Sequence, residues 1–182
     1  MESSFTIYTV GHSTRSLGEL TGLLNVADVR ELVDVRSVPR SRRHPQFEGE
    51  VLASSLPIRG IAYVHEGALG GFRRPRSNSP NMGWEHPAFR GYADYMEGEE
   101  FRGALERLRT RGREHATCVM CAEALWWRCH RRLISDALVV RGWRVLHLGL
   151  HAKPVTHKLT PFAVQGEDHS LTYPPLQTEL QI

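Results

Sequence analysis

Cysteine is scarce and odd in number: Cys118, Cys121 and Cys129 are the three in 182 residues. A disulfide framework needs paired cysteines and an oxidising compartment, so it is excluded as the basis of the fold, and reduced thiols in a cytosol are expected. Long apolar runs are also missing. Nothing approaches the roughly 20 residues needed to cross a bilayer, and the opening MESSFTIYTV lacks the charged and apolar regions of a signal peptide. A soluble, cytoplasmic protein without a membrane partner is expected. Lysine is scarce as well, and the formal charge of +3 rests mostly on arginine. The arginines cluster: Arg36, Arg40, Arg42 and Arg43 with His44, then Arg73, Arg74 and Arg76, then Arg128, Arg131 and Arg132. A guanidinium offers a planar fork of donors that suits phosphate, so convergence of these groups on one face would favour nucleic acid or a phosphorylated ligand. A solvated basic surface with ordinary ion pairs is the competing reading.

What is present alternates between strand and helix signals. Residues 5–10 form a short β-branched run that ends at Gly11, His12, Ser13 and Thr14. Ser16 and Glu19 fit a capping box, with Leu17, Leu20, Leu24 and Ala27 on one helical face. Strands are expected over 31–35 and 61–64, a short helix over 49–56, helices over 89–96 and 101–113, and a last strand over 144–148. Between them, SVPRSRRHPQF reads as a long functional loop. Residues 72–87, rich in proline and polar groups, are expected outside the core. The most informative stretch is ATCVMCAEALWWRCHRRLISDAL, from Ala116 to Leu138. It reads as a buried strand over 117–122, a turn, and a helix whose periodicity begins at Cys129 and runs to about Val140, with Gly142 as its stop. Such alternation predicts a single three-layer α/β domain over 1–182 with a mainly parallel sheet, and 151–182 as an extended C-terminal tail packed on it. In that architecture the ends of successive strands, carrying His12 and Ser13, Asp34 and Arg36, His65 and Glu66, and Cys121 and Glu123, meet along one edge.

The combination of YTVGHST, LVDVRSVPRSRR, GALGG at 67–71, CAEALWWRCHRRLI, and the late LTPFA and LTYP resembles the DUF488 family. The resemblance covers almost the whole chain and implies a Rossmann-like α/β domain. Processing of nucleic-acid bases, including base excision, is one role proposed for the family. The features that map onto this chain are Gly11, His12, Ser13, Asp34, Arg36, Gly70, Gly71, Cys121, Glu123, Arg128, Cys129, His130 and Arg131.

Three chemistries compete for these residues. Hydrolysis of an N-glycosidic bond passes through an oxocarbenium-like sugar, which a carboxylate can stabilise, attack or supply with activated water while a second group protonates the leaving base; acid or base assistance contributes about 10²- to 10⁴-fold. Asp34 and Glu123 supply carboxylates, and His12 or His130 the proton. An Asp-x-Arg pair and a Glu-x₄-Arg pair can equally be buried ion pairs that hold loops. Ser13, Arg36, Arg40, Arg42, Arg43, Gly70, Gly71, Trp84, Trp127, Arg128 and Arg131 would bind the substrate, with aromatics stacking on bases at roughly 1–3 kcal/mol each, although one of Trp126 and Trp127 is expected in the core. Cys121 at a strand end, before a helix, offers a phosphatase-like or rhodanese-like thiol or a redox pair with Cys129, but Glu123 and two tryptophans fill the loop where an anion would want small residues. Cys121, Cys129, His130 and His12 offer zinc ligands, but C-x₇-C-H matches no common structural pattern, and neighbours on a helix point about 100° apart. The expectation is therefore a hydrolase of the DNA-glycosylase type acting on a modified or damaged base, with nucleic acid, specifically DNA, as partner and with no metal or cofactor. A cysteine-dependent enzyme and a binding module without catalysis are the alternatives.

Overall fold

The computed structural model describes residues 5–176. Five strands run parallel: β1 (Thr6–Gly11), β2 (Glu31–Asp34), β3 (Ala62–His65), β4 (Thr117–Cys121) and β5 (Arg144–His147). A two-residue strand, β6 (Val155–Thr156), joins β5 antiparallel, giving the order β3-β2-β4-β1-β5-β6. The helices are α1 (Leu17–Val26), α2 (Gly49–Ser55), α3 (Pro87–Tyr95), α4 (Glu99–Glu114) and α5 (Arg131–Val139). α1 begins at the expected capping box, in which the Ser16 hydroxyl accepts from the Glu19 amide while the Glu19 carboxylate accepts from the Ser16 amide. Among the described residues, no helix is long and apolar enough to cross a membrane.

The sheet separates two cores, and the period of two along each strand decides which residue enters which. On β4, Cys118 and Met120 pack with Leu20, Leu24, Leu52 and Leu56 of α1 and α2, whereas Val119 and Cys121 pack with α3, α4 and α5. Parallel register carries this sorting across strands. Asp34 pairs with Met120, so it lies on the α1–α2 face, while Cys121 lies on the other. A three-layer Rossmann-like α/β domain is the result.

Gly11 makes the carboxyl edge possible. A Cβ there would lie 1.9 Å from the Glu123 carbonyl oxygen and 2.8 Å from the Ala124 Cα, so only glycine lets the backbone after β4 cross over the end of β1. That crossing brings the Glu123 and Ala124 carbonyls to the first turn of α5.

Three local expectations are corrected. α5 starts at Arg131 and not at Cys129, because a single 3₁₀ turn, Trp126–Arg128, first reverses the chain. The 72–87 segment is partly core: Trp84 is 5% exposed and packs against Phe89, Phe162 and Tyr173, so it is no stacking platform for a substrate. Asn81 is fully buried, its side chain accepting from the Tyr173 amide and donating to Asp94. The apolar indole and the satisfied amide outweigh the local polarity that argued for exposure. The C-terminal tail is likewise more than a surface wrap. It supplies β6 and a small hairpin, β7 (Val164–Gln165) with β8 (Leu171–Thr172), and buries His157, Thr160, Leu171 and Tyr173. Residues 177–182 of that tail lie outside the described residues.

Candidate functional site

A cavity of about 630 Å³ opens at the carboxyl edge, on the α3–α5 face. Its floor is Cys121, Cys129 and His130; Tyr92 and Phe89 of α3 form one wall, and Arg36, Arg40, Phe72, Trp127, Arg128 and Glu123 stand around it. Phe72 and Trp127 are exposed, Phe72 to 95%. Next to it lies a shallower depression of about 380 Å³, lined by His12, Ser13, Arg42, Arg43 and His44, which shares Ala122 and Glu123 with the cavity.

The thiols are set by the elements around them. Cys121 is the last residue of β4, and Cys129 follows the 3₁₀ turn that folds back over it, so the two Sγ atoms stand 2.9 Å apart as free thiols. Cys129 Sγ accepts from the Arg131 amide at 3.4 Å, the first orphan N–H of α5, and lies 3.6 Å from His130 Nδ1. His130 Nε2 is 2.9 Å from the Val35 carbonyl, and a carbonyl can only accept. Nε2 therefore carries a proton, and Nδ1 is the ring atom that faces Cys129 and can exchange a proton with its thiol. Gly71 keeps this ring accessible, since a Cβ there would lie 3.1 Å from Nδ1. Burial opposes ionisation of Cys129, but the hydrogen bond from Cys121, together with His130 and Arg131, outweighs it and holds the Cys129 thiol well below the ordinary thiol range. Burial pushes Cys121 the other way, well above that range, with Cys129 adding to the effect. The pair thus divides into a thiolate and a proton-bearing partner.

The other residues singled out in the sequence fall into two groups. Asp34 is fully buried on the α1–α2 face and accepts from Arg36 Nε at 2.9 Å, Arg36 Nη2 at 2.6 Å and the Tyr63 hydroxyl at 2.7 Å. It lines neither depression. His12 stacks on Phe47, and its Nε2 lies 3.4 Å from Arg36 Nη1; burial lowers its pKa to about 4, so the ring is neutral at pH 7. These residues anchor the arginine-rich loop, with Arg36 Nη2 donating to the Phe47 carbonyl and Ser37 donating to the Gly71 carbonyl. Glu123 is exposed and reaches both depressions, whereas Asp34 reaches neither. Arg40 and Arg128 reach the cavity, Arg42, Arg43 and Ser13 the shallower depression, and Gly70 packs against Ser37 beneath the rim. Arg131 is 1% exposed and points under the floor. The zinc set considered above is not assembled, because His12 is on the opposite face from the thiols, and among the described residues no group of three or more His, Cys, Asp or Glu is placed to hold a metal ion.

Sequence reasoning gave Cys121 the lead over Cys129 and passed over Tyr92, Phe89 and His86 of the cavity wall. It also passed over Asp136, His147 and His157, all buried and mutually hydrogen-bonded. One signal was available: Asp136 falls among the apolar positions of an amphipathic helix, where a lone carboxylate requires partners.

Residues 16–138 match the family described as Domain of unknown function DUF488, a span that holds every residue lining the cavity. No match exists among curated proteins or among solved structures in the comparisons made. With two thirds of its length inside that match, the chain belongs to the DUF488 family.

Proposed function

We propose that this protein is a thiol-dependent enzyme in which Cys129 is the nucleophile and Cys121 the resolving thiol. The observation that carries the reading is Cys129 Sγ on the floor of an open cavity, between a second thiol at 2.9 Å and His130 Nδ1 at 3.6 Å. The Cys129 thiolate attacks one sulfur of a substrate disulfide, forming a mixed disulfide and expelling the other half as a thiolate. Cys121 then gives its proton to the expelled thiolate and attacks Cys129 Sγ. The second half of the substrate leaves, and a Cys121–Cys129 disulfide holds the two electrons' worth of oxidation until an external thiol reduces it. Aromatic walls with Arg40 and Arg128 fit a small aromatic acceptor with an acidic group.

An aromatic disulfide bearing carboxylates, 5,5′-dithiobis(2-nitrobenzoate), is a matched probe. The protein as isolated should release one nitrothiobenzoate and then a second, ending with an internal disulfide. Cys121→Ser should stop at the mixed disulfide, Cys129→Ser should lose the fast phase, and His130→Ala should slow it. A fast phase that survives in Cys129→Ser refutes the assignment.

A second reading is favoured by the cavity mouth. Phe72 and Trp127 are exposed beside Arg40 and Arg128, with the Glu123 carboxylate at the boundary of the two depressions. This is a place for an extruded base, with Glu123 facing the sugar and His130 protonating the leaving base. DNAs carrying different base modifications, treated with alkali after incubation, test it. Base release lost in Glu123→Gln but kept in Cys129→Ser would select this reading, and no release from any substrate together with no DNA binding at low salt would remove it.

A further inference from the structure

Below the thiols runs a continuous line of buried polar side chains. Arg131 Nη1 donates to Thr9 Oγ1 at 3.2 Å; Thr9 Oγ1 is 2.6 Å from His147 Nδ1; His147 Nε2 is 3.0 Å from His157 Nδ1; and His157 Nε2 is 2.8 Å from Asp136 Oδ1. Every member is between 0 and 4% exposed. Asp136 also accepts from the Thr160 amide at 3.0 Å and from the Tyr173 hydroxyl at 2.9 Å, which fixes that end of the line. At the other end the Thr9 hydroxyl accepts from Arg131. Burial lowers the His147 pKa to about 2, so this ring is neutral at pH 7, and the Trp126 ring stacks on it at 4.3 Å and 5°.

The cation end is incomplete. Arg131 Nη2 donates to the Glu123 and Ala124 carbonyls and Nη1 to Thr9, but the buried Nε has no partner, and among the described residues no carboxylate contacts this guanidinium. A buried guanidinium without a contacting anion carries a desolvation penalty of several kcal/mol. Both thiols border it: the Arg131 amide donates to Cys129 Sγ at 3.4 Å, and the Glu123 carbonyl that accepts from Nη2 also accepts from Cys121 Sγ at 3.6 Å.

We propose that Arg131 is the counter-ion of the Cys129 thiolate, and that Thr9, His147, His157 and Asp136 are positioning residues that lock its two Nη donors and leave Nε for sulfur. The inference rests on the thiol reading above. It also gives the C-terminal segment a part in the site, because His157, Thr160 and Tyr173 lie beyond residue 150 and fix the anion end.

The test is the pH profile of Cys129 alkylation by iodoacetamide, read by mass spectrometry on the full chain. Other groups that bear on this thiol are His130 at the cap of α5, Arg131 of α5, Tyr92 of α3, Cys121 of β4, Arg36 after β2, and Glu123 and Arg128 in the loop after β4; all stay unchanged. Thr9→Val keeps the β-branched shape but removes both hydrogen bonds. It should move the midpoint up by about one pH unit, so that alkylation below the wild-type midpoint slows about tenfold. Thr9→Ser should restore the wild-type profile. His157→Gln, which breaks the line far from the thiols, should move the midpoint in the same direction and serves if Thr9→Val fails to fold. A wild-type profile in a folded Thr9→Val or His157→Gln overturns the proposal. A wild-type midpoint already in the ordinary thiol range, near 8.5, overturns the thiolate reading itself, and the two failures are thereby distinguished.

Discussion

Replacing Asp34 by Asn separates a structural carboxylate from a catalytic one. Asp34 is fully buried and accepts three side-chain hydrogen bonds, two from Arg36 and one from Tyr63, as well as the Arg36 amide at 3.2 Å. Asparagine preserves the volume but brings one acceptor oxygen and an NH₂ group. If the oxygen keeps the Arg36 amide and Nε, the NH₂ faces Tyr63, whose hydroxyl can turn to accept, and Arg36 Nη2, which cannot. The substitution therefore leaves a buried guanidinium, 7% exposed, without its anion. Removing one member of a buried charge pair costs about 3–5 kcal/mol. For a chain of this size each kcal/mol corresponds to about 2–4 °C in Tm, so a fall of roughly 6–20 °C is expected. Denaturation in urea should show the same loss at unchanged m-value. Reaction with the aromatic disulfide probe, measured well below the new Tm, should still occur at Cys129, because Asp34 lines neither depression and reaches the cavity only through Arg36. A variant as stable as wild type but without activity would refute this reasoning and return Asp34 to the role of catalytic carboxylate.

Gly11→Ala should be among the most destabilising single changes, well beyond the usual few kcal/mol, since its methyl would meet backbone atoms at 1.9–2.8 Å; thermal melts against Gly22→Ala, whose added Cβ meets nothing within 4 Å on α1, provide the check. Stability should fall as pH drops from about 6.5 toward 4: the folded His12 pKa is lowered to about 4 from 6.5, so the unfolded chain takes up the proton first, and stability present above 6.5 is lost on acidification. Urea midpoints across this window should show that slope, and His12→Gln should flatten it while leaving the contribution of His147, lowered to about 2.

The alternation of periods, the capping box at Ser16 and Glu19, and the placement of polar residues after apolar strands were enough to read an α/β sheet with polar strand ends along its carboxyl edge, because these signals are local. The position of the 72–87 segment was not legible. Trp84 and Asn81 acquire their burial from Phe162 and Tyr173, 78 and 92 residues downstream. The start of α5 was also missed, since a 3₁₀ turn and an α-helix share the apolar spacing over so few residues.

Composition and local pattern therefore determined the fold class, the family resemblance, and the set of strand-end residues from which a site could be built. Tertiary structure decided which of them share a face. A parallel register places Asp34 beside Met120 and so turns it away from Cys121, a distinction invisible along either strand alone because side-chain direction alternates with every residue. It also decided that Cys129 stands against Cys121 and His130, and that Arg131 and Asp136 of one helix are joined through Thr9 of β1, His147 of β5 and His157 of the C-terminal segment. Such partners are brought together by the closing of the sheet and its helices, and no local period records them.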